Sequence, residues 1–223
     1  MIEYHFCFDD GVELRYVVDP DRATSSKTVR EGPSWAKLGH QKCQHCPLND
    51  HEQPFCPPAL DLQQLARDFQ NMPAHRKVLV RVMTPEREYV KRVMLEEGVR
   101  SLMGLIMATS ACPHFSELRA NARHHLPFAS QEESILRSVS SYLVKQMFIM
   151  REGGEPDWQL KGLVKLNEEL QLVNHAFWQR LISAFQNDSN SKALLGFFNL
   201  SSSLSLTLEA QLAKLRAHVL KSE

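Results

Sequence analysis

The segment GHQKCQHCPLNDHEQPFCPPALDL, residues 39–62, decides how the N-terminal half of this chain is held together. It lies in a longer stretch, residues 19–58, that has neither helical nor strand periodicity. Irregular stretches of this length are uncommon in compact domains, so some interaction must hold this one in place. The candidates within it are three of the chain's five cysteines, Cys43, Cys46 and Cys56, and three histidines, His40, His45 and His51.

The cysteine spacing predicts a structural metal site. Cys43 and Cys46 form a C-x2-C pair, which presents two thiolates to one point, and Cys56 follows them closely. Tetrahedral Zn²⁺ needs a fourth ligand of the same kind. We assign this ligand to Cys112 in the segment SACPHF, because proline follows it just as proline follows Cys46 and Cys56.

Other ligands and other chemistries stay open at this point. His40, His45 or His51 can replace Cys112 chemically and are nearer in sequence. An iron–sulfur cluster, or a C-x2-C thiol–disulfide pair acting as a redox sensor, would use the same cysteines. Zinc is favoured because its binding free energy, on the order of 10 kcal/mol or more, would also order the irregular stretch. Cys7 lies within a predicted strand and is expected to be a free thiol.

Two predicted β-hairpins precede and follow this stretch. Residues 2–18 alternate apolar and polar side chains around the loop Asp9-Asp10-Gly11, and residues 77–95 alternate around the turn TPER. A three-residue loop puts the apolar side chains of the first hairpin on one face, with Gly11 in the left-handed conformation. This register pairs Phe8 with Val12, Phe6 with Leu14 and Tyr4 with Tyr16.

Helical periodicity dominates the rest of the chain, and the sequence predicts an α+β fold. An N-terminal antiparallel sheet of two β-hairpins carries a Cys-rich insertion and is followed by a C-terminal helical bundle. Residues 1–95 would form the β-rich part with its knuckle at 39–58, residues 96–223 the helical part, and both together one compact domain. The predicted helices are 57–72, a buried central helix 96–110, 130–150 with a Ser130–Glu133 capping box, 157–186, about 192–199 and about 204–221.

Composition narrows the class of function. The 223 residues carry 26 basic and 26 acidic side chains, so no net charge favours nucleic acid or an anionic membrane. No apolar run approaches the roughly 20 residues that span a bilayer, and the start MIEYHFCFDD does not resemble a signal peptide. We therefore expect a cytoplasmic protein without nucleic-acid or membrane partners, in which a cysteine cluster binds metal more readily than it forms disulfides.

A second group of reactive residue types falls in residues 108–134. Cys112, His125 and Glu133 are a nucleophile, a base and a carboxylate, which a hydrolase or transferase would need. No nucleophile elbow, Gly-rich phosphate loop or HExxH motif accompanies them. The favoured function is therefore a non-enzymatic binding or regulatory protein with structural zinc, and the apolar stripe of helix 157–186 offers a face for self-association or a protein partner.

Several motifs taken together resemble an uncharacterised bacterial family, a domain of unknown function. They are C-x2-CPL, CPPALDL, ERxYVK, GLIMATSACP, RHHLPFASQEE and PDWxLxGL, and they cover roughly residues 2–185. The resemblance implies the same cysteine knuckle, with Cys43, Cys46, Cys56 and Cys112, and the same order of sheet and helices. It implies no activity, and the tail after about residue 186 is expected to be particular to this chain.

Overall fold

The structure of the protein, a computed structural model, describes residues 1–23, 31–185 and 208–220. The strands are β1 (Ile2–Cys7), β2 (Glu13–Val18), β3 (Lys77–Met83) and β4 (Glu88–Met94). In the described ranges the helices are α1 (Pro57–Asp61), α2 (Gln63–Phe69), α3 (Leu95–Ala108), α4 (Pro113–Ser116), α5 (Arg119–Arg123), α6 (Gln131–Arg151), α7 (Lys161–Phe185) and α8 (Leu208–Val219). The predicted α+β class, with a sheet before a helical region, is confirmed.

The four strands form one antiparallel sheet in the order β2-β1-β3-β4, so both predicted hairpins are present. The register of the first hairpin is the predicted one, with Phe6 opposite Leu14 and Tyr4 opposite Tyr16. Gly11 has φ +83°, which a three-residue hairpin loop requires and which glycine adopts without steric cost. Loop length therefore sets which face of β1 is apolar.

One face of the sheet packs against α3, as expected of the predicted central helix. Tyr4, Phe6 and Val80 are fully buried on that face, and nine residues of α3 are buried as well. Gly98 is the point of closest approach, because a Cβ there would lie 2.9 Å from both the Phe6 ring and a Val80 methyl. A glycine therefore determines how near the helix lies to the sheet.

The predicted helix 57–72 is wrong in its continuity and its end. The structure breaks it at Leu62 into α1 and α2, and α2 ends at Phe69. In an unbroken helix, Leu60 and Leu62 would point about 200° apart, and only one could face the core. The break, with Leu62 at ψ −1°, lets both side chains be buried together with Leu65.

The predicted capping box is present at the start of α6. The Ser130 hydroxyl accepts from the Glu133 N–H, and the Glu133 carboxylate accepts from the Ser130 N–H.

The helical part contains a second, smaller apolar cluster. Val139 of α6 and Leu163 of α7 are the buried centre of the second cluster, and Leu212 of α8 packs against them. The main cluster instead joins the sheet and α3 to the C-terminal half of α7.

Helix α7 begins at Lys161 rather than at residue 157, and its apolar stripe is used inside the chain. Val173, Phe177 and Leu181 are buried in the main cluster, so self-association would need another surface.

The predicted helix at 192–199 lies outside the described residues. Among the helices of the described ranges, none combines the length and the apolar character needed to cross a membrane.

Replacing Gly98 with alanine tests the helix-to-sheet contact. Alanine favours helices over glycine by about 1 kcal/mol, but the new Cβ must displace buried side chains, a cost of about 1–3 kcal/mol. We expect G98A to lower the free energy of unfolding in urea denaturation. The matched control is G104A in the same helix, where no atom lies within 4 Å of the added Cβ, and it should be neutral or stabilising. Equal stability gains in both variants would contradict the contact.

Candidate metal centre

Cys43 and Cys46 occupy a turn on the surface of the main core. The N–H of Cys46 donates to the carbonyl of Cys43 at 3.0 Å, which closes the C-x2-C segment into a turn. Both side chains are half-buried and pack against the core. The C-x2-C pair therefore presents its thiols inward from the irregular stretch.

Cys56 and Cys112 occupy equivalent local positions on two other segments. Each is buried, at 8% and 9% exposure, and each directly precedes a short helix that begins with proline. Proline at the first helical position needs no hydrogen-bond acceptor and presets the helical φ angle. At both positions the Cys-Pro pattern therefore places a thiol immediately before a helix.

The four thiols are electrostatic neighbours of one another. Burial raises the pKa of Cys43 to about 11, and the nearby Cys46 and Cys112 raise it further. Burial likewise raises the pKa of Cys56 to about 12, with smaller contributions from Cys112 and Cys43. Burial also raises the pKa of Cys112, which has Cys46 as a neighbour. Each of these three thiols thus has at least one other cysteine of the assigned set near enough to influence its pKa.

The thiols are not arranged as a coordination shell. In the part of the chain that the structure describes, no three His, Cys, Asp or Glu side chains are arranged as a metal-binding group. All five cysteines are free thiols. With pKa values raised by burial, Cys43 and Cys56 are neutral at pH 7, whereas reactive redox cysteines have a lowered pKa.

Paired backbone holds the irregular stretch at one point. Lys37 and Phe55 form an isolated antiparallel bridge. Beside it, the N–H of Leu38 donates to Pro54 at 2.9 Å, and that of Cys56 donates to Ala36 at 2.8 Å. Sequence reasoning missed this pairing because a single bridge leaves no alternating pattern.

Arg180 of α7 is the residue that joins the helical part to this stretch. Its guanidinium donates to the carbonyls of Trp35 and Lys37 at 2.7 and 2.6 Å, and more weakly to that of Leu38 at 3.3 Å. Only 2% of the residue is exposed. Burial lowers the pKa of Arg180, and the neighbouring Cys56, Cys43 and Cys46 oppose that shift. The cation therefore lies against the cysteine cluster.

No carboxylate forms an ion pair with Arg180 in the described ranges, and its hydrogen-bond acceptors there are neutral carbonyls. A guanidinium stays charged in proteins, and a buried charge without a counter-ion is strongly destabilising. Nothing in the sequence marked Arg180 as part of the site. It lies on the apolar stripe of a helix, more than a hundred residues after Cys43, Cys46 and Cys56 and 68 residues after Cys112.

The three alternative histidines have different surroundings. His40 is half-buried and its Nε2 lies 2.6 Å from the Ser183 hydroxyl of α7, while burial and the Arg180 charge lower its pKa. His45 and His51 are exposed. The backbone carbonyl of His45 lies 3.0 Å from Nε2 of His114, which follows Cys112 by two residues. This contact ties the C-x2-C turn to the segment that carries Cys112.

The second predicted site is divided among separate contacts. Glu133 is used by the helix cap, and the Nε2 of His125 lies 2.5 Å from the Tyr4 hydroxyl. No hydrogen bond links Cys112, His125 and Glu133 to one another within the described residues. His125 is only partly exposed, and burial together with the Arg137 charge lowers its pKa to about 3. The ring is therefore neutral and structural at pH 7, rather than poised as a base.

Comparison with known proteins gives a family but no activity. A sequence model of the family described as Domain of unknown function (DUF6901) matches residues 2–220. The chain belongs to the DUF6901 family. The resemblance to a domain of unknown function is thereby confirmed. The expectation that the tail after residue 186 is particular to this chain is wrong, because the DUF6901 match continues to residue 220.

Searches of curated proteins and of solved structures found no match to this chain. Membership of DUF6901 therefore identifies neither a substrate nor a ligand. Any function must be argued from the residues themselves, and the group formed by four thiols and one buried guanidinium is the strongest starting point.

The buried His125 predicts a pH dependence of stability in this DUF6901 protein. Its pKa in the folded state, about 3, is below the ordinary 6.5, so the unfolded chain takes up a proton first as the pH falls. Stability from the neutral ring is complete above about pH 6.5 and is lost progressively below it. We expect a loss of about 1 kcal/mol between pH 7.5 and 5.5, allowing for the partial exposure of the ring.

The variant H125Q should lack this part of the pH dependence, because glutamine can bond Tyr4 but does not titrate. Urea denaturation at the two pH values measures the difference in unfolding free energy. H124Q replaces the exposed neighbouring histidine and serves as the control, which should keep the wild-type dependence. A wild-type slope in H125Q would show that the buried ring is not responsible.

Proposed function

We propose that this chain is a non-enzymatic binding or regulatory protein of the cytoplasm, with a structural zinc ion held by Cys43, Cys46, Cys56 and Cys112. The single observation that carries the proposal is the buried guanidinium of Arg180, whose electrostatic neighbours are Cys43, Cys46 and Cys56. The ion would fasten the irregular stretch to the segment that follows α3. The zinc site is structural because no side chain with a catalytic arrangement adjoins it in the described ranges.

The charge balance supports metal binding. With all four thiols neutral, the burial cost of the Arg180 charge is offset only by dipoles. Zinc binding deprotonates coordinating cysteines, so four thiolates and one Zn²⁺ carry a net charge of about −2. That charge would lie next to the guanidinium in a poorly solvated region, where opposite charges attract strongly. The metal-bound form is therefore the better partner for Arg180.

The identity of the donors supports Cys112 as the fourth ligand. Cys112 is an electrostatic neighbour of Cys43, Cys46 and Cys56 alike. His40 instead contacts Ser183, and a protonated or metal-bound imidazole would add no negative charge beside Arg180. Four thiolates compensate the buried cation best. Binding would require the four side chains to turn toward one point, which Cys side chains achieve by rotation about a single bond.

We base the proposed regulatory role on the segments of the chain that the zinc ion would connect. The stretch from residue 31 to 56 contacts both α1 and α7 through the Trp35–Leu38 backbone and Cys56. Structural zinc in such a position contributes folding free energy and not chemistry. A protein partner would then recognise a surface whose shape depends on the metal.

Metal analysis of the full-length protein, purified without chelators, tests the site. We expect about one equivalent of zinc in the wild type and a small fraction of that in C56S and C112S, because a tetrahedral site needs all four ligands. C7S is the matched control, since Cys7 lies on β1 away from the cluster and should leave the zinc content unchanged. Absence of zinc from the wild type, or equal loss in C7S, would overturn the proposal.

The role of the guanidinium has its own test. R180M keeps the length and apolar part of the side chain but removes its charge, so zinc affinity should fall about tenfold or more, equivalent to about 1.4 kcal/mol. Competition with a chromophoric chelator measures the dissociation constant. R151M, which removes an exposed arginine at the end of α6, should bind zinc as the wild type does. An unchanged dissociation constant in R180M would remove the charge argument.

A further inference from the structure

A cavity of about 450 Å³ lies in the helical part, away from the cysteines. Its walls come from α5, from the side of α6 that faces α7, and from the N-terminal half of α7. Pockets that bind small molecules usually have volumes of about 300–1,000 Å³ and mostly apolar walls with a few polar groups. The size and position of this cavity match that description.

The cavity exists because short side chains on one helix face long ones on the other. Ser134, Ser138 and Ser141 fall on one side of α6 at intervals of four and three residues, and all three line the cavity. The opposite wall, on α7, carries three leucines together with Asn167 and Gln171. Serine side chains are too short to fill the grooves between leucines, so the helices cannot interdigitate here. The leucines of that wall are Leu163, Leu166 and Leu170.

Polar groups on the α6 side lack partners. The side chain of Gln131 lines the cavity, and its amide nitrogen Nε2 is buried from solvent and makes no hydrogen bond within the described residues. The hydroxyls of Ser134 and Ser138 also make none within the described residues, whereas Ser141 donates to Asn121 at 3.0 Å. A buried donor without an acceptor costs about 1–3 kcal/mol, so native structures rarely keep one. An acceptor supplied from outside the chain would remove this cost.

The charges around the cavity cancel. Lys145 and Glu117, both lining residues, form an ion pair with one another at 3.0 Å. No other lining residue is ionised at pH 7, so a charged ligand would find no counter-ion there. The occupant is therefore uncharged, with an apolar face for the leucines and a polar edge for the α6 side.

We propose that this cavity binds an uncharged amphipathic small molecule that places an apolar face on the α7 leucines and a hydrogen-bond acceptor on the Gln131 amide. The site is separate from the proposed zinc site, because none of its lining residues is a cysteine. It is a binding site without catalytic side chains, and it belongs to the helical part alone.

Nile red, an uncharged planar dye with a carbonyl acceptor, is a suitable probe. We expect its fluorescence to report one saturable site per chain in the full-length wild-type protein. S138L fills the space between the helices and should weaken binding about tenfold or more, as expected when a ligand's volume is taken up. L166F fills the same space from α7 and should act alike, which keeps the test valid if one variant folds poorly by circular dichroism.

The control is S140L, which adds the same side chain on the exposed side of α6, outside the cavity. Its affinity for the dye should equal that of the wild type. Failure of the wild type to bind Nile red saturably, unchanged affinity in folded S138L and L166F, or stronger binding in S140L without loss in S138L would each overturn the proposal. The last result would mean that the dye binds to the surface.

Discussion

The hydrogen bonds from the Arg180 guanidinium to the backbone of Trp35, Lys37 and Leu38 connect the two parts of this molecule. One side chain of α7 satisfies three carbonyls of a stretch that has little regular structure of its own. Backbone carbonyls must find donors when they are buried, and here a side chain provides them. The position of the irregular stretch, and of the cysteines that follow it, therefore depends on α7.

The buried charge of Arg180 needs electrostatic compensation from the groups around it. The guanidinium lies out of water and has no carboxylate partner in the described ranges. Its acidic neighbours are thiols, and burial raises the pKa of Cys43 and Cys56 and so favours their neutral form. A cation and acidic groups that share a buried region each favour the ionised form of the other. Ionisation of these thiols is thus linked to the position of α7, which carries the guanidinium.

The two halves of helix α7 also lie in different environments. Its C-terminal half, with Val173, Phe177 and Leu181, completes the core that contains the sheet and α3. Its N-terminal half faces α6 across serines and leaves a cavity. Helix α7 therefore borders both candidate sites of this chain. Packing between α6 and α7 is incomplete near the serines, and this leaves room for a small molecule.

By itself, the sequence determined those features whose causes act over a few residues. Loop length and alternation set the hairpin register through Gly11, the capping box opened α6, and Cys-Pro pairs placed Cys56 and Cys112 before helices. Only the tertiary structure decided the break at Leu62, the pairing of Tyr4 with His125, and the placement of Arg180. These contacts join residues distant in sequence or satisfy core packing, and such interactions leave no periodic signal in the chain.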